Sequence, residues 1–267
     1  VVSELNNLTK TISVNQQAFK FDSSPESYSY ATLEERTDEF KVLSSGKWTA
    51  KNIPAWVSLS KTTGSGDESG IKESISVVST KNLTESDREA TIQIVSNDNP
   101  NHVKMVNLHQ DKFDFRIDNS AFVYTNPLDV SSKTLGIVCP AAWTIEGNES
   151  WVSTSVEEGE GDGSIIITPQ QNLTTSDRSA VITVTSTLNS LKRILTVSQP
   201  KFIFDIDKSS HMFNSPIALE NNGLTVNVDC SAEWTVSKDA EWINISATSG
   251  SGKSSFVITP TSNPYTT

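Results

Sequence analysis

The six tryptophans of this 267-residue chain fall into three pairs, Trp48/Trp56, Trp143/Trp151 and Trp234/Trp242, each pair eight residues apart and successive pairs 95 and 91 residues apart. The chemistry an indole offers is stacking. Its face can lie against the apolar face of a sugar ring while polar neighbours take the hydroxyls. The same ring is also a favoured filler of a β-sandwich core. Recurrence at one place in every copy argues for the filler, and residues unique to one copy are then better candidates for function. Tyr28 and Tyr30, in Pro25-Glu-Ser-Tyr-Ser-Tyr30, alternate so that both can face one side of a strand, with Glu34, Glu35 and Arg36 close by. They are the candidate ligand-binding pair. The plainer alternative is an edge hairpin whose tyrosines pack on the domain.

Other chemistry is weaker. Glu157-Glu-Gly-Glu-Gly-Asp-Gly163 has the charge density of a calcium loop but not its alternating oxygen ligands. The third copy places Ser249-Gly-Ser-Gly-Lys253 at the same site, so the shared element is a glycine turn. Gly250-Ser-Gly-Lys-Ser254 imitates the end of a phosphate loop, yet Ala247 stands where that motif needs glycine. His102, His109 and His211 are isolated and not repeated, which leaves no basis for a triad or a metal cluster. Arg88 and Arg178 recur after Ser-Asp and point to a structural bond between a loop and the sheet. Cys139 and Cys230 occupy equivalent places in separate copies, Ser44 taking that place in the first, and are read as buried unpaired thiols. The expectation is no catalytic residue, no metal and no cofactor, hence no enzyme.

The elements that would position these residues are strands. Copy two reads as seven short stretches of alternating or β-branched residues, among them Phe113–Ile117, Trp143–Ile145, Ile165–Thr168, Ala180–Thr185 and Arg193–Val197, within about 88 residues. That rhythm predicts an all-β chain of three tandem immunoglobulin-like β-sandwich domains, at 1–111, 112–200 and 201–267. The period is too long for a solenoid repeat. Ile12 and Val14 align with Phe115 and Ile117 in this reading, and Phe21 with Tyr124 and Phe213. Copy one then appears about eight residues longer near Pro25–Thr37 and five longer near Asp67–Ser74. Each copy carries a glycine pair after its second tryptophan: Gly64/Gly66, Gly159/Gly161 and Gly250/Gly252. Asn82-Leu-Thr-Glu-Ser-Asp-Arg88 recurs as Asn172-Leu-Thr-Thr-Ser-Asp-Arg178, each running into a strand. The junctions are two or three residues long, which predicts a semi-rigid string. Copy three reaches Asn263, so its last two strands are expected to be missing, to be supplied by further chain or by a neighbour's strand.

This pattern resembles the BACON domain, the Bacteroidetes-associated carbohydrate-binding often N-terminal domain. The resemblance is carried by Trp143-Thr, Ser150-Trp-Val-Ser153, the glycine pair, the Asn172–Arg178 segment, Ala180–Val184 and Val197-Ser-Gln199. It implies an immunoglobulin-like sandwich in an exported protein of gut-type Bacteroidetes that accompanies glycan-degrading machinery. The implied location is extracytoplasmic, at the cell surface or in the periplasm, with a lipid anchor upstream. The implied partners are glycan and neighbouring domains of a larger protein. Composition sets further bounds. A formal net charge of -11 repels phosphate backbones and anionic lipid, which disfavours nucleic acid. No apolar run approaches the roughly 18 residues of a membrane helix. The function expected is a non-catalytic spacer with weak carbohydrate recognition, the alternative being a dedicated carbohydrate-binding or adhesion module.

Overall fold

The computed structural model describes residues 1–67, 72–147, 149–214 and 222–262. The chain divides into two compact units, Val1–Asp114 and Phe115–Thr267. The first carries copy one, the second copies two and three. Among the described residues every regular element is a strand.

Copy one holds β1 (Phe21–Ser24), β2 (Ser27–Tyr30), β3 (Thr37–Ser44), β4 (Trp48–Lys51), β5 (Val57–Leu59), β6 (Thr63–Gly64), β7 (Lys72–Ser79), β8 (Arg88–Ser96) and β9 (Val103–Gln110). They form one sheet in the order β1-β3-β7-β5 and a second in the order β2-β9-β8-β4-β6. Tyr30, Phe40, Val42, Trp48, Ile75, Val77, Ile92, Ile94, Val106 and Leu108 are buried together in one cluster drawn from both sheets. Alternation dictates this: Phe40 and Val42 in β3, and Val106 and Leu108 in β9, turn inward from every second position.

Copy two repeats the plan with β10 (Arg116–Ile117), β11 (Ala121–Val123), β12 (Lys133–Val138), β13 (Ala142–Gly147), β14 (Val152–Thr154), β15 (Glu158–Glu160), β16 (Gly163–Pro169), β17 (Arg178–Ser186) and β18 (Lys192–Gln199). Its sheets run β10-β12-β16-β14 and β11-β18-β17-β13-β15. In both copies the short second strand joins the last strand in parallel, whereas the other pairs are antiparallel. Copy three holds β19 (Phe204–Ile206), β20 (Leu224–Thr235), β21 (Ile243–Ile245) and β22 (Ser249–Pro260), in one sheet ordered β19-β20-β22-β21. Here β20 and β22 each run through what copy two divides between two strands, with a register shift between Asp229 and Glu233. Val226, Val228, Cys230, Trp234 and Phe256 form its core, while Phe204 and Ile206 stay exposed. Among the described residues copy three shows no second sheet.

Register corrects the alignment read from sequence. Phe21 pairs with Ser44 and Phe204 with Cys230, and Arg116 with Val138, which sets Phe115 at Cys139. Phe21, Phe115 and Phe204 are therefore equivalent, and so are Tyr30, Tyr124 and Phe213, each nine residues further on. Ile12 and Val14 lie outside every sheet. The surplus of copy one precedes Phe21 rather than falling between Pro25 and Thr37. The other insertion, near Asp67–Ser74, lies partly outside the described residues. The misreading has a simple cause: Ile-x-Val and Phe-x-Phe present the same alternation, and only pairing distinguishes them.

Candidate functional site

The first tryptophan of each pair is a core residue held by the glycine turn. Trp48, Trp143 and Trp234 are all buried. A Cβ on Gly64, Gly159 or Gly250 would stand 2.2–2.3 Å from an atom of the adjacent indole, so any side chain there collides. The partner glycines turn the chain with φ of 65° at Gly66, 69° at Gly161 and 56° at Gly252, the left-handed region that costs glycine nothing. Trp143 Nε1 donates to Gly161 O at 2.9 Å, and Trp234 Nε1 to Ser254 Oγ at 3.0 Å. Beside Trp48 lies Glu73. Burial alone would raise its pKa, but hydrogen bonds from Lys61 and the Gly66 N–H hold it below the usual range.

The second tryptophan is covered by arginine in copies one and two. The Arg88 guanidinium lies 4.5 Å from the Trp56 ring, and that of Arg178 lies 4.1 Å from the Trp151 ring. Each arginine also grips a glutamine at the end of the last strand: Arg88 donates to Gln110 Oε1 at 2.5 and 2.9 Å, Arg178 to Gln199 Oε1 at 2.6 and 3.1 Å. Arg178 reaches Gln170 O at 2.5 Å, and Arg88 makes the matching contact to Thr80 O. The expected bond between loop and sheet is this ladder. Trp242 differs, being 51% exposed.

The segment that ends in the arginine has a further use, which sequence reasoning missed. Asn82 Nδ2 donates to Asp111 O at 2.9 Å, Asp87 Oδ1 accepts from Lys112 N at 2.8 Å, and Thr84 O accepts from Phe113 N at 2.7 Å. In copy two Asn172 Nδ2 donates to Pro200 O at 2.8 Å, Asp177 Oδ1 accepts from Lys201 N at 2.8 Å, and Thr174 O accepts from Phe202 N at 2.8 Å. Three successive residues of chain leaving each sandwich are thus fastened back to it. The signal was present as the repeated Asn-Leu-Thr-x-Ser-Asp-Arg, but its partner, the exit chain, is distant in sequence.

Tyr28 and Tyr30 both turn toward the interior. Tyr30 is 1% exposed, and Tyr28 packs against the same core with its hydroxyl donating to Glu39 O at 2.7 Å. Burial, aided by Asp38 and Glu39, pushes the Tyr28 phenol up to about 12. By register they match Phe122 and Tyr124 of copy two, both buried, so the pair is not unique to copy one. Beside Tyr28 a shallow groove is lined by Ser27, Tyr28, Ser29, Glu89, Ala90, Thr91, Asn107, Leu108 and His109. His109 lies 3.1 Å from Asp111 and 3.4 Å from Glu89, and the Asp111 carboxylate chiefly raises its pKa. His102 stacks on Phe19 at 5.2 Å and His211 meets Phe213 edge-on at 4.6 Å. Cys139 and Cys230 are free and buried, and burial raises the Cys139 thiol. In the acidic loop, Asp162 Oδ1 caps the Cys139 N–H at 3.0 Å. Among the described residues no three His, Cys, Asp or Glu side chains gather as a metal site would require.

Five indoles are covered, and Trp242 is the exposed one. The BACON family model, described as "Putative binding domain, N-terminal", matches residues 46–110 and 141–200, and the viral BACON domain model matches 205–267. A GH5 xyloglucanase of Bacteroides ovatus, solved with a XXXG heptasaccharide, is 28% identical over 34% of this chain and 19% of its own, with a TM-score of 0.30. An I-band fragment of titin is 10% identical over 93% of this chain and 90% of its own, at a TM-score of 0.32. The D00-D0 domain of intimin is 8% identical over 69% and 99%, also at 0.32. A comparison with curated proteins finds no match. The two BACON models, which between them match residues 46–110, 141–200 and 205–267, show that the chain belongs to the BACON family.

Proposed function

We propose that this carbohydrate-associated array is a non-catalytic spacer of an exported bacterial surface protein, meeting its neighbours at or just beyond residues 111 and 200. The observation that supports the reading is the fastened exit chain. Residues 111–113 and 200–202 are each bound back to the sandwich they leave, and Ile203 is in turn paired with Ser231 of copy three, with N–H···O distances of 2.8 Å both ways. No residue between copies two and three is left free to swivel, as a linker meant for mobility would need. An extracytoplasmic place, with a lipid anchor upstream, fits the family. No helix among the described residues is long and apolar enough to cross a membrane.

Pulsed electron resonance between labels at Thr187→Cys and Asp239→Cys tests the spacer. A narrow distance distribution is expected, broadening when Asn172→Ala and Asp177→Ala are added. A broad distribution in the chain without those two changes would overturn the reading. A second reading, weak glycan recognition in copy one, is favoured by the shallow groove beside Tyr28, where Asn107 and His109 stand next to apolar surface. It expects retention on a mucin or plant polysaccharide affinity gel that Asn107→Ala with His109→Ala abolishes. Retention unaffected by that pair moves recognition elsewhere, and hydrolysis of any polysaccharide defeats both readings.

A further inference from the structure

The first 22 residues repeat residues 184–205 without a gap. Val1-Val-Ser-Glu-Leu-Asn-Asn-Leu8 stands against Val184-Thr-Ser-Thr-Leu-Asn-Ser-Leu191, Ile12-Ser-Val-Asn-Gln16 against Leu195-Thr-Val-Ser-Gln199, and Phe19-Lys-Phe-Asp22 against Phe202-Ile-Phe-Asp205. The backbone agrees. Ser3 N donates to Leu8 O at 2.8 Å and Asn7 N to Ser3 O at 2.8 Å; Ser186 N donates to Leu191 O and Ser190 N to Ser186 O, both at 2.9 Å. Asn7 and Ser190 share a positive φ, 55° and 60°, a conformation that few residues other than glycine adopt. Leu8 N reaches Asn6 Oδ1 at 3.3 Å, as Leu191 N reaches Asn189 Oδ1 at 3.4 Å. Further on, Lys20 exchanges bonds with Ser45 as Ile203 does with Ser231.

What differs is the company. Leu195 and Val197 are 0% exposed inside copy two, while their counterparts Ile12 and Val14 are 74% and 85% exposed. An alternating apolar segment ending in the glutamine that seats the arginine ladder has, among the described residues, no core to face and no arginine to hold. We propose that residues 1–16 are the end turn and closing strand, and 17–19 the exit chain, of a further sandwich of the same kind that precedes copy one. Thr9–Gln16 is a docking strand whose occupant is that sandwich. It would pair antiparallel with a strand like β17 and parallel with one like β11, and Gln16 would receive the arginine. Copy one then begins at Lys20. The inference stands whether the array is a spacer or a glycan binder, because it rests on the match of residues 1–22 to residues 184–205.

The test is a chimera of the full chain in which Val184–Ile203 is replaced by Val1–Lys20, beside a control carrying the same twenty residues scrambled. If the segment encodes a closing strand, copy two melts within a few degrees of the parent. Amides in the grafted strand then exchange at least roughly a hundredfold slower than in the control. Equal instability of chimera and control overturns the assignment. A second measurement covers a graft that fails by poor packing: Ile12→Asp with Val14→Asp in the unaltered chain should leave every melting midpoint unchanged. A lowered midpoint for copy one would make the segment part of that copy. Concentration-dependent association abolished by the same pair would give the strand to another molecule. Either result overturns the proposal.

Discussion

A methyl group on Gly159 would stand 2.2 Å from the Trp143 ring, and one of the two must move. Gly159→Ala is expected to destabilise copy two by about 1–3 kcal/mol, the usual cost of overpacking a fixed core. Chemical denaturation followed by Trp fluorescence measures it. Gly163→Ala, whose Cβ would sit 3.4 Å from that ring, should cost much less. Legibility at this scale follows from where the signal lies. The glycine pair could be read because both members sit in one short turn of sequence. The tyrosines could not be placed, since Ser-Tyr-Ser-Tyr fits an exposed edge and a buried strand equally until a partner strand fixes which face is inside. Asp207 carries a prediction of its own. Its carboxylate accepts from Asn227 N at 2.8 Å and Asn227 Nδ2 at 2.7 Å, and these bonds lower its pKa to about 2. A depressed carboxylate stabilises the fold above its unfolded value, and that contribution vanishes as pH falls through the folded one. The bonds between Asp207 and Asn227 should therefore loosen between about pH 4 and pH 2. Asp207→Asn should show the looser state at neutral pH, with faster exchange of the Asn227 amide.

Among elements, the Asn172–Arg178 segment works on two sides at once. Its arginine ties the second tryptophan to the last strand, and its asparagine, threonine and aspartate hold the chain that leaves. Asn172 is fully buried, so Asn172→Ala strands the Pro200 and Ser176 carbonyls and should cost about 1–3 kcal/mol. Faster exchange at the Phe202 amide would distinguish loss of the fastening from general weakening. Arg178→Met keeps some packing over Trp151 but removes the bonds to Gln199 and Gln170. It should destabilise copy two and shift Trp151 emission to the red. The sequence could reveal that this segment recurs, and that Arg178 bonds to the sheet. It could not reveal the exit chain as the other partner, because the two are brought together only when β17 and β18 close. Strand rhythm was legible for the opposite reason: alternation is local.

At the scale of the whole chain, what the sequence predicted best was what it repeated. Three copies of one sandwich plan, two of them with both sheets, follow from the tryptophan spacing and the alternating strands. The first tryptophan of each pair is core in all three copies, whereas the second is covered in two and exposed as Trp242 in the third. What escaped was the alignment of copy one, in which Phe21 rather than Ile12 matches Phe115, since a periodic string looks alike from several starting points. If the chain is a spacer, small-angle scattering should give the same maximum dimension from low to high salt. The fastening is made by short hydrogen bonds rather than by screened surface charge. A maximum dimension that shrinks with added salt would mean that mutual repulsion of the -11 chain holds it open instead. The fastening also bears on how such arrays grow. A unit that carries the clasp for its own outgoing chain needs no matching surface on whatever follows. Copies can then be added or dropped by in-frame duplication without a new interface evolving alongside, and arrays of differing length become a cheap variation on one gene.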